Sequence, residues 1–456
     1  MSAALDGRAA RLLPRGPRLS AHDAAVFALR AKRDAAARAE PDFERLREQA
    51  QQIKAHALDH LDLLLERFEA SAQRAGARVH FAADAAELRR VVLELLSQAG
   101  ARRVVKSKSM LTEECGLNPE LERHGIEVVD TDLGERIVQL AHEPPSHIIM
   151  PAIHRSRADI GALFERELAS PPGDTDPARL TEAARRDLRG RFLAADAAIT
   201  GANFAVAETG TLVLVTNEGN ADLGTSLPRL HVACLGIEKV VPGLADLAVL
   251  LRLLARSATG QPISASTSLL TGPGPGGELH VVLVDNGRTR LLADPRHRSA
   301  LACIRCGACL NTCPVYRRAG GHAYGWALPG PIGEVLAPAL AAGPEAARLP
   351  FASTLCGSCS AVCPVKIDLH DQLGAWRAAA PRGWRERWAA RLGALALGSG
   401  VGYRLAGGLG RALWPLLGRR FAANPLAGWL ASRELPPHPG SSFRARFAAR
   451  ARRAEP

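Results

Sequence analysis

The chain has 456 residues, of which 47% are hydrophobic and 23% are charged, and nine are cysteines. This length is enough for two or three domains with sizeable cores. Seven of the cysteines fall in two short runs, which argues against a disulfide framework and favours a reducing compartment. No uncharged apolar span reaches about 18 residues, so no transmembrane helix is predicted. The first 38 residues lack the apolar core of a secretory signal, so none is expected.

The formal net charge of +12 is concentrated at one end of the chain. Residues 376–456 hold 15 Arg and 3 Glu, and therefore account for the whole excess. Two interpretations stay open. The segment docks on an acidic partner or an anionic membrane face, or its arginines lie on the solvated faces of short helices. It shows no helix-turn-helix, zinc-finger or RNA-binding signature, so nucleic acid is not expected as a partner.

Periodicity predicts the main elements in chain order. Apolar residues at three- and four-residue steps predict one amphipathic helix over residues 42–73. Strands are then predicted at 79–81, 103–106, 126–129, 147–150, 198–201, 211–216, 230–235 and 279–285. Between them, helices are predicted to begin near 84, 118, 156, 177 and 242. This alternation predicts an α/β, Rossmann-like domain with a largely parallel sheet.

Several cofactor motifs are missing from the sequence. The Pro/Gly-rich stretch at 271–277 precedes a strand, whereas the glycines of a dinucleotide-binding motif follow a strand and open a helix. Neither a P-loop nor the C-x2-C-H motif of c-type haem occurs in the chain. We therefore expect no flavin, nicotinamide or haem.

Two cysteine runs point to iron–sulfur chemistry. The first has the spacing C-x2-C-x2-C-x3-C-P and the second has C-x2-C-x3-C-P, at Cys303, Cys306, Cys309 and Cys313, and at Cys356, Cys359 and Cys363. The first run matches the bacterial ferredoxin pattern, in which the fourth cysteine ligates the other cluster. Structural zinc is the alternative, but zinc sites use four ligands each and do not call for a third cysteine or a Cys-Pro ending.

Reciprocal ligation assigns the cysteines to two clusters. Cys303, Cys306, Cys309 and the remote Cys363 are predicted to hold one [4Fe–4S] cluster. The second cluster is predicted at Cys313, Cys356 and Cys359, and it is one ligand short. In the ferredoxin register the missing cysteine falls at Ser353, so this cluster is either [3Fe–4S] or a [4Fe–4S] cluster with one open iron. The other two cysteines, Cys115 and Cys234, are predicted to be small buried residues.

A candidate ligand pocket is predicted at the carboxyl end of the 103–106 strand, where open α/β sheets bind ligands. Two lysines and a hydroxyl there, Lys106, Ser107 and Lys108, suit a carboxylate or phosphate. A second strand, at 211–216, is bracketed by polar residues that are predicted to complete the pocket, namely Glu208, Thr209, Glu218 and Asn220. The alternative is that these charges are solvated and the nearby glycines only make turns. His147 and His231 begin apolar runs and are predicted to be structural.

Nine short segments, together with the cysteine runs, carry a resemblance to a known family. They are residues 53–56 (IKAH), 106–110 (KSKSM), 112–114 (TEE), 131–135 (TDLGE), 143–147 (EPPSH), 201–204 (GANF), 208–211 (ETGT), 217–220 (NEGN) and 236–242 (GIEKVVP). Over nearly its whole length the chain resembles the iron–sulfur B proteins of the bacterial lactate-utilisation system. The resemblance implies an α/β domain of the sugar-phosphate isomerase and CoA-transferase type, a helical dicluster ferredoxin domain and seven ligand cysteines.

Four divisions of the chain are predicted: an N-terminal helical region (1–76), the α/β domain (77–293), the ferredoxin-type domain (294–375) and a basic helical region (376–456). The resemblance implies a cytoplasmic electron-transfer subunit that acts with other subunits during oxidation of L-lactate to pyruvate. Peripheral membrane contact stays open. Two other functions stay open as well: an autonomous enzyme acting on an organic acid or acyl-CoA, and a redox-sensing regulator.

Overall fold

A computed structural model describes residues 16–341, 343–380, 384–414, 437–438 and 440–454. The chain divides into two compact units, Met1–Ala379 and Ala380–Pro456. The three predicted divisions up to residue 375 thus fall within the first unit. Part of the sequence start, residues 1–15, and the middle of the predicted basic region, residues 415–436, lie outside the described residues.

The first unit is built on a six-stranded sheet in which every described pairing is parallel. In spatial order the strands are β1 (Arg78–Ala82), β10 (Glu278–Val284), β7 (Leu230–Gly236), β4 (Ala197–Thr200), β2 (Arg103–Lys106) and β3 (Glu127–Asp130). The central strand β7 is buried along its whole length, as expected for a parallel sheet covered by helices on both faces. The prediction of an α/β fold with a largely parallel sheet is confirmed.

A second sheet of four strands was not predicted. Its order is β8 (Val240–Val241), β5 (Phe204–Val206), β6 (Thr211–Thr216) and β9 (Ser266–Leu270). β6 pairs antiparallel with both β5 and β9, while β5 pairs parallel with β8. Residues 211–216 therefore form a strand as predicted, but in a different sheet, because local periodicity does not tell which strand becomes the partner.

Helices surround both sheets. In the first unit they span Pro17–Arg38, Phe43–Asp59, Leu61–Arg74, Ala85–Gln98, Met110–Glu114, Leu117–Arg123, Leu133–Leu140, Arg157–Leu168, Pro177–Ala194, Asn220–Ser226, Leu244–Ala258, Arg288–Leu292, Ala308–Thr312, Pro314–Ala319, Gly330–Leu340, Ser358–Val362 and Leu369–Ala379. Short 3-10 helices cover Ile237–Lys239, Arg298–Ala302, Gly321–Tyr324 and Ala346–Ala352.

Two predicted elements differ from the structure. The single helix expected over 42–73 is broken at His60, whose backbone (φ −122°, ψ 32°) is not helical. The prediction of a strand at 147–150 is wrong. The buried His147 ring instead accepts hydrogen bonds from the backbone N–H groups of Ile149 and Met150, at 2.9 and 3.1 Å, and so closes a turn.

The N-terminal helices pack around the cysteine-bearing segment. Val26, Phe43 and Leu250 share one hydrophobic core with Leu310 and Cys309. Two arginines of these helices reach the second cysteine run: Arg33 donates to the Val362 carbonyl at 3.0 Å and Arg47 donates to the Cys363 carbonyl at 2.8 and 3.0 Å. The segment before the sheet therefore supports the cysteine loops directly.

The second unit is helical in its described parts, with helices Trp384–Leu397, Gly400–Leu413 and Phe443–Ala454. Large apolar side chains are exposed on them, including Leu395 at 75% and Leu405 at 70%. Within the described residues, no helix is long and apolar enough to cross a membrane.

Candidate metal centre and adjoining cavity

The two cysteine runs have matching backbone conformations at an offset of 50 positions. Arg305 and Leu355 both have positive φ, at 60° and 54°, and so do Gly307 and Gly357, at 72° and 75°. Each run continues into a five-residue helix, Ala308–Thr312 in the first and Ser358–Val362 in the second. Left-handed residues at these positions turn the chain tightly between successive cysteines.

One group of thiols collects cysteines from both runs. Cys306 and Cys309 are buried and Cys303 is half-buried. Burial raises the pKa of the Cys306 thiol, and the neighbouring Cys303 and Cys363 raise it further. Burial also raises the pKa of Cys363 to about 11, with Cys303 again acting in the same direction. The remote Cys363 is thus an electrostatic neighbour of the first run.

The other group has the complementary composition. Burial raises the pKa of Cys313 to about 12, and Cys359 adds to the rise. Burial likewise raises the pKa of Cys359 to about 11, and Cys356 adds to it. Cys356 is exposed, and a hydrogen bond from the Ser358 backbone N–H is the main cause that lowers its pKa. These neighbours agree with the two sets that reciprocal ligation predicts, except that Cys359 also raises the pKa of Cys309, and the cluster assignment itself stays a prediction.

The donor set fits iron–sulfur clusters. Backbone N–H groups donate to the sulfurs of Cys303, Cys313 and Cys363 at 3.4, 3.5 and 3.3 Å. Such bonds to sulfur are among the means by which proteins set cluster potentials. Softness also matters, because thiolates are the ligands that suit iron–sulfur centres. The residues present could therefore hold two clusters.

Ser353 occupies the position that corresponds to Cys303. The Arg305 N–H donates to the Cys303 sulfur at 3.4 Å, and the Leu355 N–H donates to the Ser353 hydroxyl at 3.1 Å. The same two-residue backbone turn therefore presents a sulfur in the first run and an oxygen in the second. Ser353 is half-buried, beside the exposed Cys356.

Sequence reasoning missed Glu334, which lies close to the second set of thiols. Its side chain is fully buried in the helix Gly330–Leu340. Burial raises the pKa of its carboxyl to about 8, and the Tyr324 hydroxyl beside it acts in the opposite direction. The carboxylate in turn raises the pKa of Cys313 and Cys359. A single Glu in an apolar helical stretch gives no sequence signal of this role.

A cavity of about 210 Å³ opens at the carboxyl ends of the parallel strands. Four of the residues predicted for a ligand pocket line it: Ser107, Lys108, Glu218 and Asn220. Lys108 is not a free cation, because its ammonium donates to Asp132 at 2.7 Å and to the Ile149 carbonyl at 3.0 Å.

The other three predicted residues lie away from the cavity lining. Lys106 is completely buried and pairs with Asp130 at 2.7 Å and Glu113 at 3.2 Å, so its charge is already neutralised. The Glu208 carboxylate accepts from the N–H of Leu244, at the start of a helix. Thr209 hydrogen-bonds to Thr211. The predicted pocket is therefore only partly assembled.

The cavity is also lined by residues that were not predicted as a site, including Glu238, Lys239, Arg288 and Arg305. Arg288 is fully buried and donates to Glu238 at 2.6 Å and to Glu114 at 3.0 and 3.1 Å. Gly236 makes this approach possible, because a Cβ there would lie 2.0 Å from the Glu238 carboxylate. Arg305 is one of the two residues between Cys303 and Cys306, so the cavity adjoins the first cysteine run.

Lys239 differs from the other cations of the cavity. Among the described residues, its ammonium makes no hydrogen bond or ion pair. Glu238 is the carboxylate that raises the pKa of Lys239. Burial lowers the pKa of Lys239 to about 7, and the nearby Arg305 and Lys54 lower it as well. Lys239 belongs to the 236–242 segment that carried the family resemblance, which is the one signal that could have drawn attention to it.

Family comparisons agree with this division of the chain. A family model described as LUD domain matches residues 65–291, and one described as 4Fe-4S dicluster domain matches residues 299–367. The second match supports iron–sulfur clusters rather than zinc at the cysteine runs. A solved structure of a DUF162 family protein from Deinococcus radiodurans covers 49% of this chain and 98% of its own, at 18% identity and a TM-score of 0.28, a value too low to support an inference.

Curated relatives match over most of the chain. A protein named Lactate utilization protein B from Shouchella clausii is 42% identical over 427 residues, covering 90% of this chain and 89% of the relative. Proteins of the same name from Bacillus cytotoxicus and Geobacillus thermodenitrificans are 46% identical over 340 and 338 residues, covering 73% of this chain and 71% of each relative. The chain therefore belongs to the lactate utilization protein B family, with an LUD domain followed by a 4Fe-4S dicluster domain.

Proposed function

We propose that this chain is the iron–sulfur electron-transfer subunit of a complex that oxidises L-lactate to pyruvate. The observation that carries the proposal is the pair of thiol sets, built from both cysteine runs, in a chain whose relatives are named for lactate utilisation. Bound clusters supply one-electron transfer. Other subunits of the lactate-utilisation system are the proposed partners, and the cytoplasm is the proposed compartment.

The division of labour follows from the chemistry of the reaction. Oxidation of a hydroxy acid removes two electrons, usually through a flavin or a nicotinamide. The sequence has no glycine turn for the phosphates of either cofactor. We therefore assign the first bond cleavage to a partner and the relay of electrons to this chain. The exposed Cys356 favours the second thiol set as the point of exchange with that partner.

Anaerobic purification tests the proposal directly. Two [4Fe–4S] clusters, or one [4Fe–4S] and one [3Fe–4S] cluster, would give about seven to eight irons per chain. Cys306→Ala is expected to disturb chiefly the first cluster and Cys359→Ala the second, as read by electron paramagnetic resonance. L-lactate should reduce the clusters only when the other lactate-utilisation proteins are present. Stoichiometric zinc, or one bound flavin per chain, would contradict the proposal.

The cavity beside the first cysteine run favours a second candidate, an autonomous enzyme acting on an organic acid or acyl-CoA. It is lined from both the α/β domain and the cysteine-bearing segment. The same reduction experiment separates the two candidates. If L-lactate reduces the clusters of the purified chain without any partner, the chain performs the first step itself.

A further inference from the structure

The cationic side chains at the part of the cavity beside the first cysteine run are not all equally paired. Two carboxylates, Glu114 and Glu238, lie near four cationic side chains: Arg288, Arg305, Lys239 and Lys54. Arg288 takes up both carboxylates. Lys54 is buried, and its ammonium donates to the Glu238 backbone carbonyl at 2.7 Å. Glu238 is shared between Arg288 and Arg305, and Lys239 is left without a carboxylate partner of its own among the described residues, although Cys303, a predicted cluster ligand, acts on it electrostatically.

Lys239 and Arg305 are also the cations with unused hydrogen-bond donors. Arg305 approaches Glu238 only at 3.5 Å, its side chain is 12% exposed, and its buried Nη1 has no hydrogen-bond partner among the described residues. Buried donors are normally satisfied, and a cationic donor without a partner is costly. The two side chains carry like charges, and Arg305 is, after burial, a further cause that lowers the pKa of Lys239. A bound anion would remove both costs.

We propose that Lys239 and Arg305 bind the carboxylate of a small organic acid at the part of the cavity beside the first cysteine run. The cavity is smaller than the roughly 300–1,000 Å³ of sites for drug-sized ligands, which suits an acid of a few heavy atoms. Arginine is well matched to a carboxylate because its planar fork can donate twice. Other polar groups of the lining, such as Ser107 and Asn220, are available to a hydroxyl or carbonyl.

The position of Arg305 couples this site to the first cluster. Arg305 stands between two cysteines of the first set, and its positive φ of 60° is imposed by the loop that they form. An anion bound by Arg305 would therefore change the charge next to Cys303 and Cys306. The choice of lactate and pyruvate as probes rests on the proposed function, whereas the site itself rests on the geometry.

The experiment titrates the anaerobic protein, without partners, with L-lactate, pyruvate, propionate or inorganic phosphate. Heat of binding and the resonance spectrum of the reduced clusters are measured together. We expect at least one carboxylate to bind and to shift the first cluster's signal. Lys239→Gln should weaken that binding at least tenfold, because a charged hydrogen bond is lost, while Lys239→Arg should retain it.

Lys108→Gln is the matched control, since Lys108 lines the same cavity but is already paired with Asp132. It should leave the affinity within about threefold of wild type, a limit well below the tenfold loss expected from removing a charged hydrogen bond. Iron content and thermal unfolding verify that each variant is folded and loaded. The proposal is overturned if no carboxylate binds, if phosphate binds more tightly than every carboxylate, or if Lys108→Gln causes the greater loss. A carboxylate that binds while lactate never reduces the clusters with partners present would refute the proposed function and leave this site standing.

Discussion

The two cysteine runs differ at one predicted ligand position, which is Cys303 in the first run and Ser353 in the second. Ser353 takes the place of Cys303 in a loop whose other three cysteine positions are retained, at Cys356, Cys359 and Cys363. The backbone hydrogen bond to its side chain is retained too. A hydroxyl oxygen is a harder ligand than a thiolate and suits an iron–sulfur cluster less well. We therefore expect Ser353 to leave one corner of the second cluster weakly held.

The first prediction is that Ser353→Cys closes this corner. Brief air exposure of the wild type should produce the resonance of a three-iron cluster, and the variant should produce much less of it. Thr354→Cys is the matched control, because it adds a thiol next door but out of register. If Ser353→Cys and the wild type respond alike, residue 353 does not face the open corner.

A second prediction at this scale concerns Glu143. Burial raises the pKa of its carboxyl, but hydrogen bonds from His154 and Arg155 outweigh that effect and bring the pKa to about 2. These bonds are 2.8 Å long to His154 and 2.6 and 2.9 Å to Arg155. Glu143→Gln should lower the free energy of unfolding at neutral pH by about 1.5–3 kcal/mol, the usual range for a hydrogen bond to a charged group.

The pH dependence has a definite sign. A carboxyl whose pKa is lower in the folded state than its usual value near 4.3 stabilises the fold above that value. The difference between wild type and Glu143→Gln should therefore shrink as the pH falls from about 5 toward about 2. Urea unfolding followed by tryptophan fluorescence measures it, with the exposed Glu122→Gln as control. A difference that grows on acidification would contradict this account.

At the scale of elements, the N-terminal helices act as supports for the metal centre. Arg47, on the helix Phe43–Asp59, donates to the carbonyls of Ala361 and Cys363, at the end of the helix Ser358–Val362. Carbonyls at a helix end lack partners within the helix, so an arginine there satisfies them and interacts favourably with the helix dipole. The contact joins elements that are more than 300 residues apart in sequence.

Arg47→Ala is accordingly expected to loosen Cys363 and the cluster that it serves. The free energy of unfolding should fall by about 1–3 kcal/mol, since the charged hydrogen bonds of Arg47 to Glu44 and to the two carbonyls are lost and the partly buried Cys363 carbonyl loses this partner. Bleaching of the iron–sulfur absorbance under a chelator should become several-fold faster. Arg45→Ala provides the control, because Arg45 is on the same helix but is exposed and pairs with the nearby Asp42. Equal bleaching rates in the two variants would show that the helix does not support the centre.

At the scale of the whole molecule, the net positive charge and many large exposed apolar side chains occur together in the second unit. Its described helices carry exposed leucines together with arginines, such as Leu395 and Leu405 with Arg391 and Arg404. Surfaces that combine apolar and cationic side chains are typical of contacts with acidic partners or anionic membranes. The described part of the second unit is therefore a candidate docking surface.

The corresponding prediction is that docking depends on this unit and on salt. Ending the chain after Ala379 should weaken its association with the other lactate-utilisation proteins or with anionic vesicles. Raising the salt toward 1 M, where the Debye length is roughly 3 Å, should weaken the same associations of the intact chain. Replacing Arg391, Arg404 and Arg411 by Gln separates the loss of charge from the loss of the whole unit. Unchanged pull-down and vesicle binding by the shortened chain would favour arginines that are merely solvated.

The features that could be predicted from the sequence depend on residues that are close to one another along the chain. The spacing of each cysteine run predicts iron–sulfur chemistry because a cluster loop is built from neighbours in the chain. The parallel strands were predictable for the same reason, since apolar runs such as those of β7 and β10 are local. The correspondence of Ser353 with Cys303 also followed from counting residues.

Only the tertiary structure decided which charges are available at the cavity. Lys106 and Lys239 are both lysines in segments that carry the family resemblance, but Lys106 is buried between carboxylates, while Lys239 has no hydrogen-bond or ion-pair partner among the described residues. Arg305 lines the cavity, and Glu334 lies near the second thiol set, because elements that are far apart in sequence pack together. A side chain's charge is set by its residue type, but whether that charge is neutralised depends on partners that only the folded chain brings within a few ångströms.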